Sequence, residues 1–334
     1  MRRALTIPGF MLGALLLALL APLWLPLALL VSVVPATRGM WRFGLFLTAY
    51  LWCESIGITV SLAIWLKHAN PAPHSARWRA YLHDNYRLQC WWAHSLKRLT
   101  ARIFDLTFVV ENAAALEGPA AIVLPRHTSM GDTVVPIVWY SMPRNFRLRY
   151  VLKKQLLLDP CLDIVGNRLP NCFVDRDADD PAQVLSAVAA LLRDIGDDEG
   201  VLIYPEGTRF TVAKRAQVLA RFRERGDAEA VTRLERWPNL MPPRMGGTLA
   251  LLSVNTRRDI LFCAHTGFEG SARFNDLING SWAHTTVRIR FWRVPFAAIP
   301  HTAINQQRFL FAQWDQMQTA VQELLSNDAH TRLR

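Results

Sequence analysis

The N-terminal part of the sequence contains two long segments that are almost without charge. From Ala4 to Thr37 there is no charged side chain, and from Phe43 to Leu66 there is only Glu54. Each segment can supply the roughly 20 helical residues that cross the hydrocarbon layer of a bilayer. A signal peptide would be shorter and would not be followed by a second apolar run. A buried core helix is rarely apolar on all sides over such a length. We therefore predict a membrane hairpin of two hydrophobic helices over residues 1–70.

Prolines and charges refine this prediction. Pro22 and Pro26 interrupt the first run, so its helix is expected to be kinked or shallow. Residues 67–103 carry seven basic side chains against Asp84 alone, and the positive-inside rule then places the C-terminal part of the chain in the cytoplasm. The expected location is a membrane, the bacterial inner membrane or its equivalent, with the N-terminus on the same side. The sequence leaves open whether the hairpin spans the bilayer or dips into one leaflet. Glu54 is either a functional intramembrane carboxylate or lies near a partner or water.

The composition narrows the class of protein further. Of 334 residues, 51% are hydrophobic and 19% are charged, which excludes a disordered chain, a collagen and a coiled coil. The net charge is +11, and arginine dominates it with 33 residues against 5 lysines. Such an excess favours a polyanionic partner: nucleic acid, an anionic membrane or a phosphate-bearing substrate. The five cysteines form no CxxC pair, so we interpret them as small buried hydrophobic residues in a reducing compartment.

Residues 71–103 have the pattern of a basic amphipathic helix. Trp78, Tyr81, Trp91 and Trp92 alternate with arginine and lysine, as in helices that lie in the headgroup layer of a membrane. A nucleic-acid-binding protein shows a similar mixture. Because two apolar segments precede this one, we predict an interfacial helix that contacts membrane lipids, and no nucleic acid as a partner.

From residue 104 onward, short β-rich runs alternate with helical stretches. This alternation predicts an α/β fold with a mostly parallel mixed sheet flanked by helices, in one cytoplasmic domain over residues 104–334 behind an N-terminal two-helix membrane anchor. The predicted strands are Leu106–Glu111, Ala120–Leu124, Arg147–Leu152, Cys172–Asp175, Val201–Tyr204, Ile260–His265 and Val287–Trp292. The predicted helices are Asp132–Tyr140, Pro181–Ile195, Thr211–Arg236, Gly247–Ser253 and Ile304–Leu325.

The first chemical motif follows the second predicted strand. His127 and Asp132 lie in the turn after Ala120–Leu124, where α/β folds place their sites. Through such a turn, the carboxylate can hold one imidazole nitrogen, and an oriented imidazole is a general base near neutral pH. The alternative is that Asp132 only caps the following helix.

The second motif is Tyr204-Pro-Glu-Gly-Thr-Arg209, also at the end of a predicted strand. Gly207 permits a close approach of the backbone, and the planar guanidinium of Arg209 suits a phosphate group. The alternative is an ordinary turn with a surface pair between Glu206 and Arg209. The Glu-Gly-Thr-Arg sequence arises by chance only on the order of a few times per thousand chains, so its presence downstream of His127 is specific.

With these two motifs the chain resembles the glycerolipid acyltransferase family, which includes the 1-acylglycerol-3-phosphate and lysophospholipid acyltransferases. The family's His-x4-Asp block matches His127 and Asp132, and its Glu-Gly-Thr-Arg block matches residues 206–209. Its second block matches Asn171–Arg176, although Pro170 stands where the family usually has glycine. The stretch from Lys153 and Lys154 to Pro160 resembles the lead-in to that block, and residues 240–247, with Pro243, resemble the fourth.

The resemblance implies a set of roles. His127 and Asp132 would be the catalytic residues, and the substrate's own hydroxyl would be the nucleophile. Arg176 would be the phosphate ligand together with Arg209, and Glu206 would assist in binding the acceptor. The implied substrate-binding set is completed by Lys154, Gly207, Thr208 and Pro243. No metal and no cofactor are expected beyond acyl-CoA or acyl-carrier protein as the acyl donor.

The predicted function is therefore a membrane-bound O-acyltransferase of phospholipid biosynthesis. It would move a fatty acyl group from acyl-CoA or acyl-carrier protein to a lysophospholipid acceptor, 1-acylglycerol-3-phosphate, and so form phosphatidate. Two alternatives stay open: a lysophospholipid acyltransferase that remodels another head group, and a catalytically inactive membrane adaptor that binds lipid. The sequence does not distinguish the acceptors, since phosphate-binding arginines serve both.

Overall fold

The core of the molecule is a seven-stranded sheet, seen in a computed structural model that describes residues 2–69, 71–175 and 180–332. Its spatial order is β1-β7-β6-β2-β5-β3-β4. All neighbouring strands are parallel except β6 and β7, which are antiparallel. The strands are β1 (Thr107–Glu111), β2 (Ile122–Pro125), β3 (Arg147–Lys153), β4 (Cys172–Val174), β5 (Glu199–Leu202), β6 (Ile260–Thr266) and β7 (Thr286–Val294).

Ten α-helices precede, connect and flank these strands in the described part of the chain. They are α1 (Arg2–Leu19), α2 (Ala21–Val31), α3 (Met40–His68), α4 (Ala76–Phe104), α5 (Pro160–Arg168), α6 (Pro181–Ala189), α7 (Val212–Glu224), α8 (Ala228–Arg236), α9 (Met245–Val254) and α10 (Ala303–Arg332). Several begin at the capping residues that favour a helix start. Ser75 accepts the N–H of Trp78 ahead of α4, and Asp159 accepts the N–H of Leu162 ahead of α5. Asp180 caps α6 just before Pro181.

Both faces of the sheet are buried, as expected for parallel strands covered by helices on both sides. On β2, Val123 faces a core shared with α3 and α4, whereas Ile122 and Leu124 face a second core shared with α8, α9 and α10. On β6, Leu261 and Cys263 face the first core, and the alternate positions face the second. The central strands are therefore rigid, and the turns that follow them are held in place from both sides.

The predicted fold class is confirmed. Each of the seven predicted strands corresponds to one observed strand, and the sheet is mixed and mostly parallel. The helix predicted at Asp132–Tyr140 is wrong in type, because the chain forms a short 3-10 turn over Gly131–Val134 and a π turn over Ile137–Ser141. The helix predicted at Thr211–Arg236 is two helices, which part at Gly226 with φ of 68°. Helix α5 was not predicted, although Asp159 and Pro160 form a typical helix start.

Two N-terminal segments are long and apolar enough to cross a membrane by length and composition. They are Arg2–Leu19 and Pro35–His68. The first apolar run is indeed interrupted, since α1 ends at Leu19 and Pro22 lies in the first turn of α2. The two segments differ in burial: 6% of the first and 39% of the second are buried against the rest of the chain. The first segment therefore leaves most of its apolar surface uncovered, whereas the second is also a packing element of the domain.

Helix α3 lies along the α/β domain over its full length. Just before its start, the N–H of Gly39 donates to the carbonyl of Ile278 at 2.9 Å. Near its middle, the carboxylate of Glu54 accepts the N–H of Cys161 on α5 at 3.1 Å. Near its end, Arg168 Nη1 donates to the carbonyl of Ser61 at 2.8 Å. These contacts hold both ends and the middle of the helix against one surface.

The N-terminus is fixed to the same domain. Arg2 and Arg3 both form ion pairs with the buried carboxylate of Asp163 on α5, at 2.6 and 2.8 Å. The start of α1 therefore lies against α5, and the predicted position of the N-terminus relative to a membrane stays a prediction.

Helix α4 begins one residue after its Ser75 cap and packs directly onto the sheet. Tyr81 is buried, and Trp78 and Trp92 pack against the cores, so these three rings face the protein rather than a lipid. Trp91 is exposed. Five basic side chains on this helix are also exposed: Arg77, Arg79, Arg87, Arg98 and Arg102. The predicted amphipathic helix is present, but its aromatic side chains serve mainly to pack the domain.

Candidate active site

His127 and Asp132 are joined by a hydrogen bond, as the sequence predicted. Strand β2 ends at Pro125, and the chain then turns so that His127 Nδ1 lies 2.9 Å from Asp132 Oδ1. Both side chains are almost completely buried. The carboxylate therefore fixes one tautomer and orientation of the imidazole, which leaves Nε2 as its reactive nitrogen.

The carboxylate of Asp132 is held by the turn itself. Its Oδ2 accepts the main-chain N–H groups of Thr128 at 2.6 Å and Ser129 at 2.8 Å. Burial alone would raise the pKa of Asp132, but the neighbouring His127, above all, and the N–H of Ser129 help to outweigh it and lower the pKa. The carboxylate is thus ionised at neutral pH and can stabilise a positive charge on the imidazole.

Nε2 of His127 makes no hydrogen bond to any described residue. The ring lies 4.3 Å from the ring of Tyr204, centroid to centroid. Tyr204 is in turn anchored by a hydrogen bond from its hydroxyl to the carbonyl of Asp132 at 3.3 Å. Tyr204 therefore contacts one face of the imidazole and Asp132 holds its Nδ1, while Nε2 is available to a ligand.

Beside this turn lies a cavity of about 280 Å³, whose lining is mostly apolar. Met130, Gly131, Tyr204 and Arg209 line it next to the His-Asp turn. The remaining wall comes mainly from α3, α4 and α5, through side chains such as Trp92, Leu96 and Val165. The cavity thus connects the turn to the interior of the apolar helical layer.

Glu206 is placed next to His127, but its carboxylate does not pair with Arg209. Oε1 accepts the main-chain N–H of His127 at 2.6 Å, and Oε2 accepts the N–H of Met241 at 2.8 Å. The side chain is fully buried, and burial raises its pKa to about 8. Both oxygens therefore hold main-chain groups of the protein itself, which excludes the alternative of a surface pair with Arg209. The predicted part of Glu206 in acceptor binding stays a prediction.

The rest of the Glu-Gly-Thr-Arg motif forms a tight turn. Gly207 has a φ of 62° and donates its N–H to the carbonyl of Tyr204, which explains the glycine. The hydroxyl of Thr208 accepts a hydrogen bond from Lys214 Nζ at 3.3 Å. Both residues shape the turn that carries Arg209.

Arg209 is half-buried and lines the cavity. One Nη1 hydrogen bond goes to the carbonyl of Ala272 at 2.6 Å. The buried Nε has no partner among the described residues, and burial lowers the pKa of the guanidinium. A cation that has lost water and keeps a free N–H group is suited to bind an anion.

The other predicted binding residues lie outside this cluster or outside the described residues. Lys154 is exposed and forms an ion pair with Asp175 at 3.2 Å. Pro243 is buried in the loop that Glu206 holds through Met241, and it does not line the cavity. Arg176 falls outside the described residues, so its role as a phosphate ligand stays a prediction.

Two residues that the sequence analysis did not single out complete the site. His265 on β6 is fully buried and lies 3.6 Å from Asp132 Oδ2, measured from Nε2. Arg126 is also fully buried; it pairs with Glu269 at 2.6 Å and donates to the carbonyl of Asn239. Only the adjacency of Arg126 to His127 was visible in the sequence. His265 is brought in by the pairing of β6 with β2, which no short motif reveals.

No three metal-binding side chains of the His, Cys, Asp or Glu type come together within residues 2–69, 71–175 and 180–332. The expectation that the protein needs no metal remains a prediction.

The site is thus a buried His-Asp pair beside an apolar cavity, at the carboxyl end of a central strand. Residues 107–236 match the Acyltransferase family, so this part of the chain is an acyltransferase domain. The match confirms the resemblance inferred from the motifs. No curated protein sequence matches the chain significantly.

A solved structure with the same fold is the 1-acyl-sn-glycerophosphate (LPA) acyltransferase, PlsC, from Thermotoga maritima. The similarity has a TM-score of 0.53 at 12% sequence identity and covers 87% of this chain and 99% of that one. At this identity the similarity establishes the shared fold.

Proposed function

We propose that this chain is a membrane-bound O-acyltransferase that transfers a fatty acyl group from acyl-CoA or acyl-carrier protein to 1-acylglycerol-3-phosphate, forming phosphatidate. The observation that carries the proposal is the 2.9 Å contact between His127 Nδ1 and Asp132 Oδ1, in a turn whose residues Met130 and Gly131 line an apolar cavity. The Acyltransferase match and the fold of the 1-acyl-sn-glycerophosphate acyltransferase support it.

The dyad supplies the proton transfers that acyl transfer requires. Nε2 of His127 accepts the proton of the acceptor hydroxyl while that oxygen attacks the carbonyl carbon of the thioester. Asp132 stabilises the imidazolium that results. When the tetrahedral intermediate collapses, the C–S bond breaks, and the leaving thiolate takes the proton from Nε2. The products are an ester and a free thiol, and the imidazole returns to its neutral form.

The phosphate of the acceptor would be bound by Arg209. Its guanidinium lines the cavity next to Tyr204, whose ring contacts the ring of His127, so an anion held there brings a neighbouring hydroxyl toward the imidazole. Arg176, in the segment outside the described residues, would be the second ligand.

The apolar cavity would hold a fatty acyl chain. Its lining joins the residues of the His-Asp turn to side chains of α3, α4 and α5, and apolar side chains dominate the wall. A hydrocarbon chain buried there gains about 0.8 kcal/mol for each methylene group removed from water. This energy helps to fix the reacting carbonyl near Nε2.

The N-terminal helices would hold the enzyme in one leaflet of the bilayer. Exposed leucines on α1 and α2, such as Leu5, Leu23 and Leu30, form an uncovered apolar surface. Because the contacts of Gly39, Glu54 and Ser61 tie α3 to the domain along its length, the helix cannot extend away across the membrane without breaking them. A helical layer that lies in the leaflet beside the domain satisfies both observations.

An acceptor panel tests the proposed substrate. The purified protein in lipid nanodiscs would receive one labelled acyl-CoA and a series of lysophospholipids with different head groups. We expect the highest kcat/KM with 1-acylglycerol-3-phosphate. A clear preference for a phosphodiester head group would instead identify a remodelling enzyme with the same chemistry. Binding of lysolipids without transfer to any of them would contradict the enzymatic proposal.

A further inference from the structure

The peptide bond that carries His127 is held from both sides by buried titratable side chains. On one side, the N–H of His127 donates to Glu206 Oε1 at 2.6 Å. On the other, the carbonyl of Arg126, in the same peptide group, lies 3.0 Å from Nε2 of His265. The plane of this peptide sets the direction in which the side chain of His127 leaves the backbone.

The contacts of His265 define its protonation. A carbonyl oxygen is only an acceptor, so Nε2 of His265 must carry the proton that is donated to Arg126. Nδ1 is buried and has no partner among the described residues. Burial lowers the pKa of His265, partly opposed by Asp132. The imidazole is therefore neutral at physiological pH, with its single proton on Nε2.

The same N–H group also faces the catalytic carboxylate. His265 Nε2 lies 3.6 Å from Asp132 Oδ2, the oxygen that accepts the N–H groups of Thr128 and Ser129. The other charged groups around His265 are Arg126 and Glu269, which pair with each other at 2.6 Å. The opposite charges of Arg126 and Glu269 cancel locally. The electrostatic effect on Asp132 from this side therefore comes from the Nε2–H dipole of His265.

We propose that His265 is a positioning residue for the catalytic dyad: its neutral imidazole, through Nε2–H, fixes the peptide group between Arg126 and His127 and orients Asp132. This inference rests on the proposed function, because it assigns a role relative to His127. His265 is fully buried and does not line the cavity. His265 lies on β6 and binds the carbonyl end of the peptide group, whereas Glu206 binds its N–H end. The peptide group is therefore held by hydrogen bonds at both ends.

Three variants test the inference in full-length protein in nanodiscs. His265→Leu has a similar volume but removes the donor, whereas His265→Gln keeps an N–H donor near the position of Nε2 and cannot titrate. Cys263→Ala is the matched control, because Cys263 lies two residues earlier on the same face of β6 and is fully buried. It loses packing without losing a contact to the Arg126 carbonyl.

We expect His265→Leu to lower kcat on the order of ten- to a hundredfold, because the imidazole of His127 loses its alignment, while the KM values for donor and acceptor change little. His265→Gln should recover most of kcat. In His265→Leu the N–H dipole that stabilises the negative charge of Asp132 is lost, so this charge holds a proton on His127 more strongly. The acidic limb of the kcat–pH profile should therefore move to higher pH in this variant. Cys263→Ala should leave kcat and this limb unchanged despite a lower melting temperature.

A spectroscopic measurement checks the protonation state directly. In ¹⁵N-histidine-labelled protein, the ring nitrogens of His265, assigned by comparison with His265→Gln, should show the Nε2–H tautomer and no titration between about pH 5.5 and about pH 8.5. Titration in this range would overturn the inference. Equal kcat and equal acidic limbs for His265→Leu and Cys263→Ala would overturn it as well. If His127→Ala kept full activity, the proposed function itself would fail, and that outcome is distinct from both.

Discussion

Oε1 of Glu206 accepts the main-chain N–H of His127 at 2.6 Å, across 79 residues of sequence. Its other oxygen binds the N–H of Met241, so a single carboxylate connects the His-Asp turn to the loop that contains Pro243. Two sequence blocks that are far apart in the chain are thereby fixed relative to each other. Because Glu206 makes these contacts, the geometry of the site depends on the protonation of its buried carboxyl group.

Glu206→Gln tests this connection through the pH dependence of stability. Burial raises the pKa of Glu206 from its ordinary 4.5 to about 8, so between these values the folded protein binds a proton that the unfolded chain does not. The contribution of this proton to stability is complete below about pH 4.5, and stability falls by about 1.4 kcal/mol per pH unit as pH rises toward 8. Glutamine cannot lose a proton, so the melting temperature of Glu206→Gln should fall less over this range.

The control for this prediction is Glu224→Gln, at an exposed position near the end of α7. Its melting temperature should follow the wild-type pH curve. If the curves of wild type and Glu206→Gln run parallel from about pH 5 to about pH 8, Glu206 does not bind a proton in the folded protein over this range, and the prediction is wrong.

Arg209→Ala should impair use of the acceptor more than use of the donor. The guanidinium lines the cavity with an Nε that has no partner among the described residues, and loss of a charge-assisted hydrogen bond to phosphate should raise the acceptor KM on the order of tenfold to a hundredfold. Arg209→Lys should recover part of this loss, since lysine keeps the positive charge but lacks the planar pair of donors of a guanidinium. Arg221→Ala, at an exposed position on α7, is the control. Equal losses for donor and acceptor would remove Arg209 from the phosphate site.

Val165→Phe should change the preferred length of the acyl chain. Val165 is buried on α5 and lines the cavity, so a larger ring there occupies space that a hydrocarbon chain would fill. We expect kcat/KM for long chains to fall relative to short chains, measured with a series of acyl-CoA and lysolipid substrates. Val165→Ile, which adds one methyl group, should show a smaller shift in the same direction. An unchanged chain-length profile would mean that the chain binds elsewhere.

Charges on α1 and α2 should weaken membrane binding. Leu12 and Leu23 are 56% and 73% exposed, and a charged side chain in hydrocarbon costs on the order of 3 kcal/mol. The double variant Leu12→Glu, Leu23→Glu should therefore float with liposomes to a much smaller extent than the wild type. Val254→Glu, at the end of α9 on the opposite side of the sheet, should float normally. Equal flotation of all three proteins would exclude this surface as the lipid contact.

The sequence predicted the sheet well because its strands follow simple local rules. Ile122 and Val123 face different cores yet are both fully buried, and such two-sided burial gives a short apolar run that is easily recognised. The contact between His127 and Asp132 was predictable for a similar reason, since both residues lie in one turn and only five positions separate them.

Other features depend on tertiary packing and could not be predicted. The partners of Glu206 are main-chain groups of His127 and Met241, which carry no sequence signal. His265 reaches the site through the pairing of β6 with β2, and α3 lies along the domain because of single contacts such as Gly39 with Ile278. In the same way, the sequence pattern of α4 does not distinguish aromatic residues that face lipid from those that face protein. Only tertiary packing places Tyr81 in the interior.

The most direct test of the central claim is acyl transfer by His127→Ala. The purified variant, reconstituted in nanodiscs with labelled acyl-CoA and 1-acylglycerol-3-phosphate, would be compared with wild type and with His83→Ala, an exposed histidine on α4. Loss of the general base should reduce kcat on the order of a thousandfold in a variant that still folds, although with a lower melting temperature because the buried carboxylate of Asp132 loses a partner, while His83→Ala remains fully active. Transfer by folded His127→Ala at the wild-type rate would contradict the account.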